Sequence, residues 1–357
     1  MGGKPCAVSG DQRLRALERI VPKSRLQAVL RKSGHAKRRY TRLPAWFMAY
    51  FLVAMALFSE DSQPRVFKRL QRFRQGATPA RSTIAEARNG LGAAPMRLLA
   101  RSVVGLLGTP DIPGAFRKGL RLMALDSFVL DLPDTVANEK AFGRPGSGRG
   151  KGAFPQARVL ALREAGSHVL WRWQAKPCRR SEVAIAPVLL RHLEPDMLLM
   201  QDKAFLCCKH ARLVRARGAH LLARVKSGFV LPSRKELPDG SFLSTLHPRS
   251  NASRREREKG GVPVRLIEHV LRGTGHKDDG KPQRLLTTLL DHEEHPAEEL
   301  VLLYHERWEE EMAIDELKTH LLRRPVLRSR TPLPRTAEPD REGSTATCPD
   351  RRPAFRG

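Results

Sequence analysis

The sequence contains few cysteines and few aromatic residues, and each shortage excludes a class of protein. The cysteines number five, an odd count, and include no C-x-x-C pair, which argues against a disulfide scaffold and against a zinc ribbon. They are Cys6, Cys178, Cys207, Cys208 and Cys348. Aromatic residues make up 6% of the chain and do not cluster as they do in RNA-binding sheets, which disfavours a sheet that stacks RNA bases. We expect reduced thiols in a cytoplasmic protein.

The chain also lacks a long apolar run and an internal repeat. Its longest apolar stretch is LPAWFMAYFLVAMALF at 43–58, which is shorter than the ~20 residues that span a bilayer and ends without a signal-type cleavage site. We therefore expect a buried helix here and no membrane association. The absence of a repeat argues against a solenoid.

Acidic residues are scarce relative to basic ones. Lys and Arg total 65 against 37 Asp and Glu, so the formal net charge is +28. A surplus of this size implies a polyanionic partner, and nucleic acid is favoured over a membrane surface. Basic clusters at 31–42 and 249–260 suit phosphate binding, although such runs also occur as solvated faces.

The order of the patterns predicts an α/β protein with two domains. Apolar residues recur at helical spacing through residues 11–110, and short strand-like runs begin near Arg121. From there the patterns run as three strands, a helix, a strand, a helix and a strand, then a β-rich insertion and a final helix. This is the order of a ribonuclease H-like mixed sheet. The predicted regions are 1–115, helical, with the basic cluster at 31–42 that suits DNA binding; 116–331, the mixed-sheet domain, with its insertion at about 227–290; and 332–357, disordered.

Two aspartates follow apolar runs in this second region. Asp126 comes after LMAL and Asp202 after DMLLMQ, so each is expected to project from the end of a strand, where a charged side chain needs a partner such as a metal ion. Aspartate also caps strands and opens turns, so neither residue is decisive alone. Asp131, Asp134 and Asp196 lie nearby as alternatives.

Four polar residues near the C-terminal end share one face of a predicted helix. They are Tyr304, Arg307, Glu311 and Lys318, and at about 100° per residue they fall within an arc of roughly 60°. A carboxylate flanked by cations suits phosphate chemistry. The alternative is an amphipathic surface helix with ion pairs between neighbouring turns.

This segment, YHERWEEEMAIDELK, resembles the Y-x2-R-x3-E-x6-K signature of bacterial insertion-sequence transposases of the DDE class, of the insertion-sequence-4 type. The segments LMALDSFVLDLPDTVANEKAFG and QDKAF are similar to the family regions around its first two catalytic aspartates, and the resemblance extends from about residue 42 to about 331. Ser127, Phe128 and Lys203 depart from the family pattern.

The resemblance implies a DNA transposase that cuts and joins DNA at the inverted repeats of an element. Asp126, Asp202 and Glu311 would be catalytic and would hold two Mg²⁺ or Mn²⁺ ions, hard cations that prefer oxygen ligands. Arg307 and Lys318 would contact phosphates, and Tyr304 would help position the strand, although packing in the core is an equally good role for it. The partners implied are inverted-repeat and target DNA, with a homodimer in the synaptic complex and a cytoplasmic, nucleoid-associated location.

Two other motifs are set aside. The segment RPGSGRGKG at 144–152 departs from a phosphate-binding P-loop, because Pro145 stands at the first glycine position and Gly152 where Ser or Thr should follow the lysine. We expect a flexible basic loop. DHEEH at 291–295 places two histidines beside carboxylates, but it precedes Pro296 in an expected turn, and zinc binding is disfavoured.

The tail after Thr331 is rich in Arg, Pro, Glu and Thr and has no helical periodicity. Family members continue into further helices at this point, so we expect a truncated or frameshifted copy. This leaves a second hypothesis open, namely a catalytically inactive remnant that only binds DNA.

Overall fold

The computed structural model describes residues 9–35, 43–74, 76–147, 150–226, 229–232, 235–249, 252–273, 280–306 and 326–332. Within them, a group of helices precedes a large mixed sheet. Cys178, Cys207 and Cys208, the cysteines in these ranges, form no disulfide bond there. The predicted tail at 332–357 lies outside the described residues, apart from its first position.

The N-terminal region is helical, as the periodicity predicts. Its helices are α1 (Gly10–Ile20), α2 (Lys23–Lys32), α3 (Ala45–Leu57), α4 (Gln63–Arg69), α5 (Arg81–Leu91) and α6 (Ala94–Val103), with a 3-10 turn at Leu70–Arg72. Ser9 and Gln12 form a capping box that starts α1. The apolar run forms α3, whose Phe47 and Ala54 are fully buried. No helix among the described residues is both long and apolar enough to cross a membrane.

The remaining elements build one sheet, a small hairpin and five helices within the described ranges. The strands are β1 (Phe116–Arg117), β2 (Leu120–Asp131), β3 (Gly146–Ser147), β4 (Gly150–Lys151), β5 (Gln156–Glu164), β6 (Leu170–Pro177), β7 (Met197–Gln201), β8 (His220–Arg224), β9 (Lys235–Glu236), β10 (Phe242–Leu246), β11 (Val262–Val270) and β12 (Pro282–Thr287). The helices are α7 (Val136–Phe142), α8 (Glu182–Leu190), α9 (Cys208–Arg215), α10 (Arg254–Glu258) and α11 (Ala297–Glu306).

The strand order of the sheet is β6-β5-β2-β7-β8-β12-β11-β10-β9, with β1 paired to β2. Strands β6, β5 and β2 are antiparallel, whereas β2, β7 and β8 are parallel. Three antiparallel strands joined to two parallel ones form a ribonuclease H-like core, so the predicted fold class is confirmed. The strands of the β-rich insertion continue this same sheet, because β12 pairs with β8.

The segment predicted as a flexible loop at 144–152 contains a short hairpin instead. Gly146 pairs with Lys151 in the β3–β4 ladder, and Gly150 has φ +108°, which glycine adopts readily. Arg144 at its base forms ion pairs with Asp134 and Glu139. These contacts hold the described residues on either side of the hairpin.

The two faces of the sheet are covered by different helices. Residues of β2, β7 and β8 alternate between the faces, as the period of two in a strand requires. Met123, Leu125, Leu199 and Leu221 pack in one cluster with α8 and α9, on what we call the α8/α9 face. Leu122, Leu198, Met200 and Leu222 pack with α11, on the α11 face.

Candidate active site

Asp126 lies in the middle of β2, at the level where its parallel neighbour β7 ends. The predicted position at a strand end is therefore wrong for this residue, because β2 continues to Asp131 through its pairing with β5. The register pairs Leu125 with Gln201, the last residue of β7. Asp126 therefore lies next to the end of β7, where a turn begins.

Asp202 is the first residue of that turn. Continuing the register by one step sets Asp202 opposite Asp126, and neighbouring strands are ~4.8 Å apart. Strand alternation places both aspartates on the α11 face, because Leu122 and Ala124 precede Asp126, and Leu198 and Met200 precede Asp202, at steps of two. The fold therefore brings the two predicted carboxylates together.

The turn that carries Asp202 is held by its own backbone and by a buried histidine. The Phe205 N–H donates to the Asp202 carbonyl oxygen at 3.0 Å. His210 of α9 places Nδ1 2.8 Å from the Phe205 carbonyl oxygen and Nε2 3.1 Å from that of Val183. Burial lowers the pKa of His210, and the two carbonyl oxygens oppose this shift without cancelling it.

Tyr304 on α11 contacts the strand that leads to Asp202. Its side chain is 4% exposed and packs in the cluster on the α11 face. Its hydroxyl donates to the Gln201 carbonyl oxygen at 3.2 Å. This position favours the packing role left open by the sequence, and a contact between Tyr304 and DNA stays a prediction.

Arg307, Glu311 and Lys318, the other three residues of the predicted stripe, lie outside the described residues. The structure describes the chain up to Glu306, the last residue of α11, and again from Val326. The helix α11 covers the face that carries Asp126 and Asp202, and its Tyr304 contacts the residue before Asp202. The assignment of Glu311 as the third carboxylate stays a prediction.

A short segment at Val326–Pro332 closes the open edge of β2 beyond Asp126. Val326 forms a parallel bridge with Asp131, and the Leu327 N–H donates to the Asp131 carbonyl oxygen at 2.8 Å. Asn138 of α7 donates to the Ser329 carbonyl oxygen at 2.9 Å. These contacts lie past the end of β7, so the segment occupies the edge that β7 leaves unpaired.

The same segment ties the N-terminal helices to the sheet. Arg88 of α5 donates to the Ser329 hydroxyl at 3.3 Å and to the Thr331 hydroxyl at 3.1 Å. Arg328 donates to the Ser59 carbonyl oxygen after α3. The two regions are thereby joined next to the candidate site.

Sequence reasoning missed two polar residues close to the aspartates. Arg163 of β5 is fully buried and is the register partner of Ala124, two residues before Asp126 on the same face. Gln201 is also fully buried, and its side-chain oxygen and nitrogen have no hydrogen-bond partner within the described residues. Arg163 sits in a run that reads as an ordinary strand, so only the register with β2 reveals that it lies near the site. Gln201 directly precedes Asp202, and what the sequence does not show is its complete burial.

The donor chemistry at Asp126 and Asp202 fits a divalent metal ion. Carboxylate oxygens are the ligands that Mg²⁺ and Mn²⁺ prefer, and two of them from adjacent strands supply part of a coordination shell. Among the described residues there is no group of three or more His, Cys, Asp or Glu that could hold a metal ion, and Glu311 as a third ligand stays a prediction. The zinc alternative at 291–295 also lacks such a group within its described surroundings.

Comparisons with known proteins match this arrangement. The family model described as "Transposase DDE domain" matches residues 117–338, and the model "Insertion element 4 transposase N-terminal" matches residues 11–101. The transposase InsG for insertion sequence element IS4, from Escherichia coli (strain K12), is 28% identical over 309 residues, which cover 85% of this chain and 68% of the relative. The putative transposase InsZ of the same strain is 28% identical over 190 residues, covering 52% of this chain and 62% of that protein.

A solved structure is similar at lower identity. The piggyBac transposase, determined by cryo-EM in a synaptic complex with hairpin DNA, matches with a TM-score of 0.44 and 12% identity, over 86% of this chain and 68% of that one. The strand order described above, rather than this similarity, supports the fold assignment.

Proposed function

Because the chain belongs to the insertion-element-4 type of DDE transposases, we propose that this DNA transposase binds the inverted repeats of its element and performs metal-dependent strand cleavage and strand transfer. The reaction is cut-and-paste transposition. The observation that supports the site is the register of β2 and β7, which sets Asp126 opposite Asp202 on the α11 face.

Asp126, Asp202 and Glu311 would hold Mg²⁺ or Mn²⁺ in this proposal. Such ions activate a water or a 3′-hydroxyl and stabilise the leaving oxygen of a phosphodiester. The residues of the chain supply fixed positions for the ligands. Asp126 is held within a strand paired on its far side to β5, and Asp202 is held by the turn that Phe205 and His210 fix.

DNA is the proposed partner of the basic surface and of the cations that follow α11. Arg307 and Lys318 would contact phosphates of the element end, and guanidinium and ammonium groups suit phosphate oxygens. The buried Tyr304 would hold the strand before Asp202 through its bond to the Gln201 carbonyl oxygen. Its predicted contact with DNA is a second role in this proposal. The net charge of +28 predicts a steep salt dependence of binding. A homodimer in the synaptic complex and a cytoplasmic, nucleoid-associated location are part of the proposal.

Asp202→Asn tests the site against a matched control at the opposite end of β7. The change keeps the side-chain size but removes one charged ligand, so we expect Mg²⁺-dependent cleavage of a duplex carrying the element end to fall by ~10³-fold or more, as for other directly acting catalytic groups. End binding, measured by gel shift, should be retained. Asp196→Asn serves as the control, because Asp196 is exposed at the opposite end of β7 and its φ of +62° suits asparagine.

Cleavage retained by Asp202→Asn, or lost equally in the Asp196 control, would contradict the assignment. Binding of the end by the unaltered chain without any cleavage would instead support the second hypothesis, an inactive DNA-binding remnant.

A further inference from the structure

The turn between β9 and β10 reaches across to the start of α11. Asp239 in this turn accepts the Ala297 N–H at 3.0 Å, the Ser241 N–H at 3.2 Å and the Ser241 hydroxyl at 2.5 Å, and it forms an ion pair with Arg265. Burial by itself raises the pKa of Asp239, but the bonds from Ser241, Ala297 and Arg265 outweigh it and hold the pKa below its ordinary value of 3.8. Asp239 is therefore an anion at the N-terminal end of α11, where an anion stabilises a helix.

Arg265 extends the same network around the loop that enters α11. Its side chain is fully buried on β11. Its Nη1 donates to the His295 carbonyl oxygen at 2.7 Å and to that of Asp291 at 3.3 Å, while its Nε donates to the Ser241 hydroxyl at 2.7 Å. A buried guanidinium is costly unless it is paired and hydrogen-bonded. Asp239 supplies the charge that keeps Arg265 in place, and Arg265 in turn holds the loop before α11.

The other end of α11 is fixed against the candidate site. Tyr304 lies seven residues after Ala297, about 10 Å along the helix axis, and its hydroxyl donates to the Gln201 carbonyl oxygen next to Asp202. Between these ends Leu300, Val301 and Leu303 pack on the sheet. The helix is thus attached at its start to the β-rich insertion and near its end to the strand before Asp202.

We propose that Asp239 is a positioning residue for the metal site: by holding the N-terminal end of α11, it sets the depth at which this helix lies against the face that carries Asp126 and Asp202. The inference rests on the proposed function. It assigns the insertion a role in aligning α11, whose Tyr304 contacts the residue before Asp202, with the two aspartates. Substituting residues that orient metal ligands without binding the ion commonly changes metal affinity or activity by 10–100-fold.

Asp239→Asn tests this by Mn²⁺ binding, measured by electron paramagnetic resonance on the whole chain at a temperature where every variant is folded. Asparagine keeps the size and one oxygen acceptor but removes the charge opposite Arg265. We expect the Mn²⁺ dissociation constant to rise by ~10-fold or more, with end binding unchanged. Tyr304→Phe removes only the hydroxyl at the other end of the helix and should weaken Mn²⁺ binding in the same direction, which provides a second variant if Asp239→Asn fails to fold.

Glu299→Gln is the matched control. Glu299 lies in the first turn of α11 and pairs with Lys118 at 2.9 Å and with Arg117, but its side chain is 37% exposed. Such a surface pair does not fix the helix, so Mn²⁺ binding should stay at the wild-type level. A lowered melting temperature with unchanged Mn²⁺ affinity in Asp239→Asn would show a structural role only and would overturn the inference. Mn²⁺ binding that is equal in the wild type and in Asp126→Asn would overturn the proposed site itself, and the inference with it.

Discussion

On the α8/α9 face of the sheet the central strands present Met123, Leu125, Leu199 and Leu221, whereas on the α11 face Asp126 and Asp202 stand beside leucines. A charged group within an apolar cluster costs free energy unless it is paired or binds an ion. The difference indicates that one face is built for stability and that the other gives up part of its apolar packing to carry chemistry.

Leu125 and Asp126 make the sharpest test of this comparison, because they are consecutive residues that point to opposite faces. Leu125→Ala removes a fully buried side chain and should lower the free energy of unfolding by about 2–5 kcal/mol through the cavity it leaves. Asp126→Asn should leave unfolding in denaturant almost unchanged but reduce DNA cleavage by ~10³-fold or more. If Asp126→Asn unfolded as easily as Leu125→Ala, the division of roles between the faces would be wrong.

The α8/α9 face also carries a charged residue, Glu164, the fully buried last residue of β5. It accepts the N–H groups of Leu107 and Gly108 at 2.9 and 2.6 Å and pairs with Arg121. Burial by itself raises the pKa of Glu164, but hydrogen bonds from Ser167, Leu107, Gly108 and Arg121 outweigh it, so the pKa lies below its ordinary value of 4.5. This charge therefore holds the linker before β1 and plays no part in the chemistry proposed for the other face.

Glu164→Gln should lower the free energy of unfolding by about 1–3 kcal/mol near neutral pH. Because the folded pKa is lowered, the stability gained from ionisation is complete above the unfolded pKa and is lost as the pH falls through the folded value. Denaturant titrations should therefore show a gap between wild type and variant that is constant above about pH 4.5 and narrows below it. A gap that stayed constant into strong acid would show that the charge of Glu164 does not contribute.

Local patterns were sufficient to predict the strands of the core and the buried helix α3. They also singled out Asp126 and Asp202 as candidates, because a carboxylate after an apolar run is visible in a single segment. The position of Asp126 within its strand was not predictable in this way. It depends on the pairing of β2 with β5 and on the bridge between Asp131 and Val326. Asp131 and Val326 lie far apart in the sequence.

The contacts of Asp239 and Arg265 at the start of α11 were not predictable from the sequence either. LPDGSFL shows a turn, but nothing in those letters shows that Asp239 meets Arg265 and the N-terminal end of a helix 58 residues further along the chain. Gln201 is a similar case, because its place before Asp202 is visible in the sequence but its complete burial in the sheet is not. Long-range contacts decide these positions, and short sequence patterns do not report them.

The metal site at Asp126 and Asp202 is tested most directly by locating Mn²⁺ with anomalous X-ray scattering in crystals of the full chain soaked with that ion. We expect a peak on the α11 face within coordinating distance of both carboxylates, and loss of the peak in Asp202→Asn. A well-ordered sheet with no peak at these residues, or with Mn²⁺ bound elsewhere and unaffected by the substitution, would contradict this assignment.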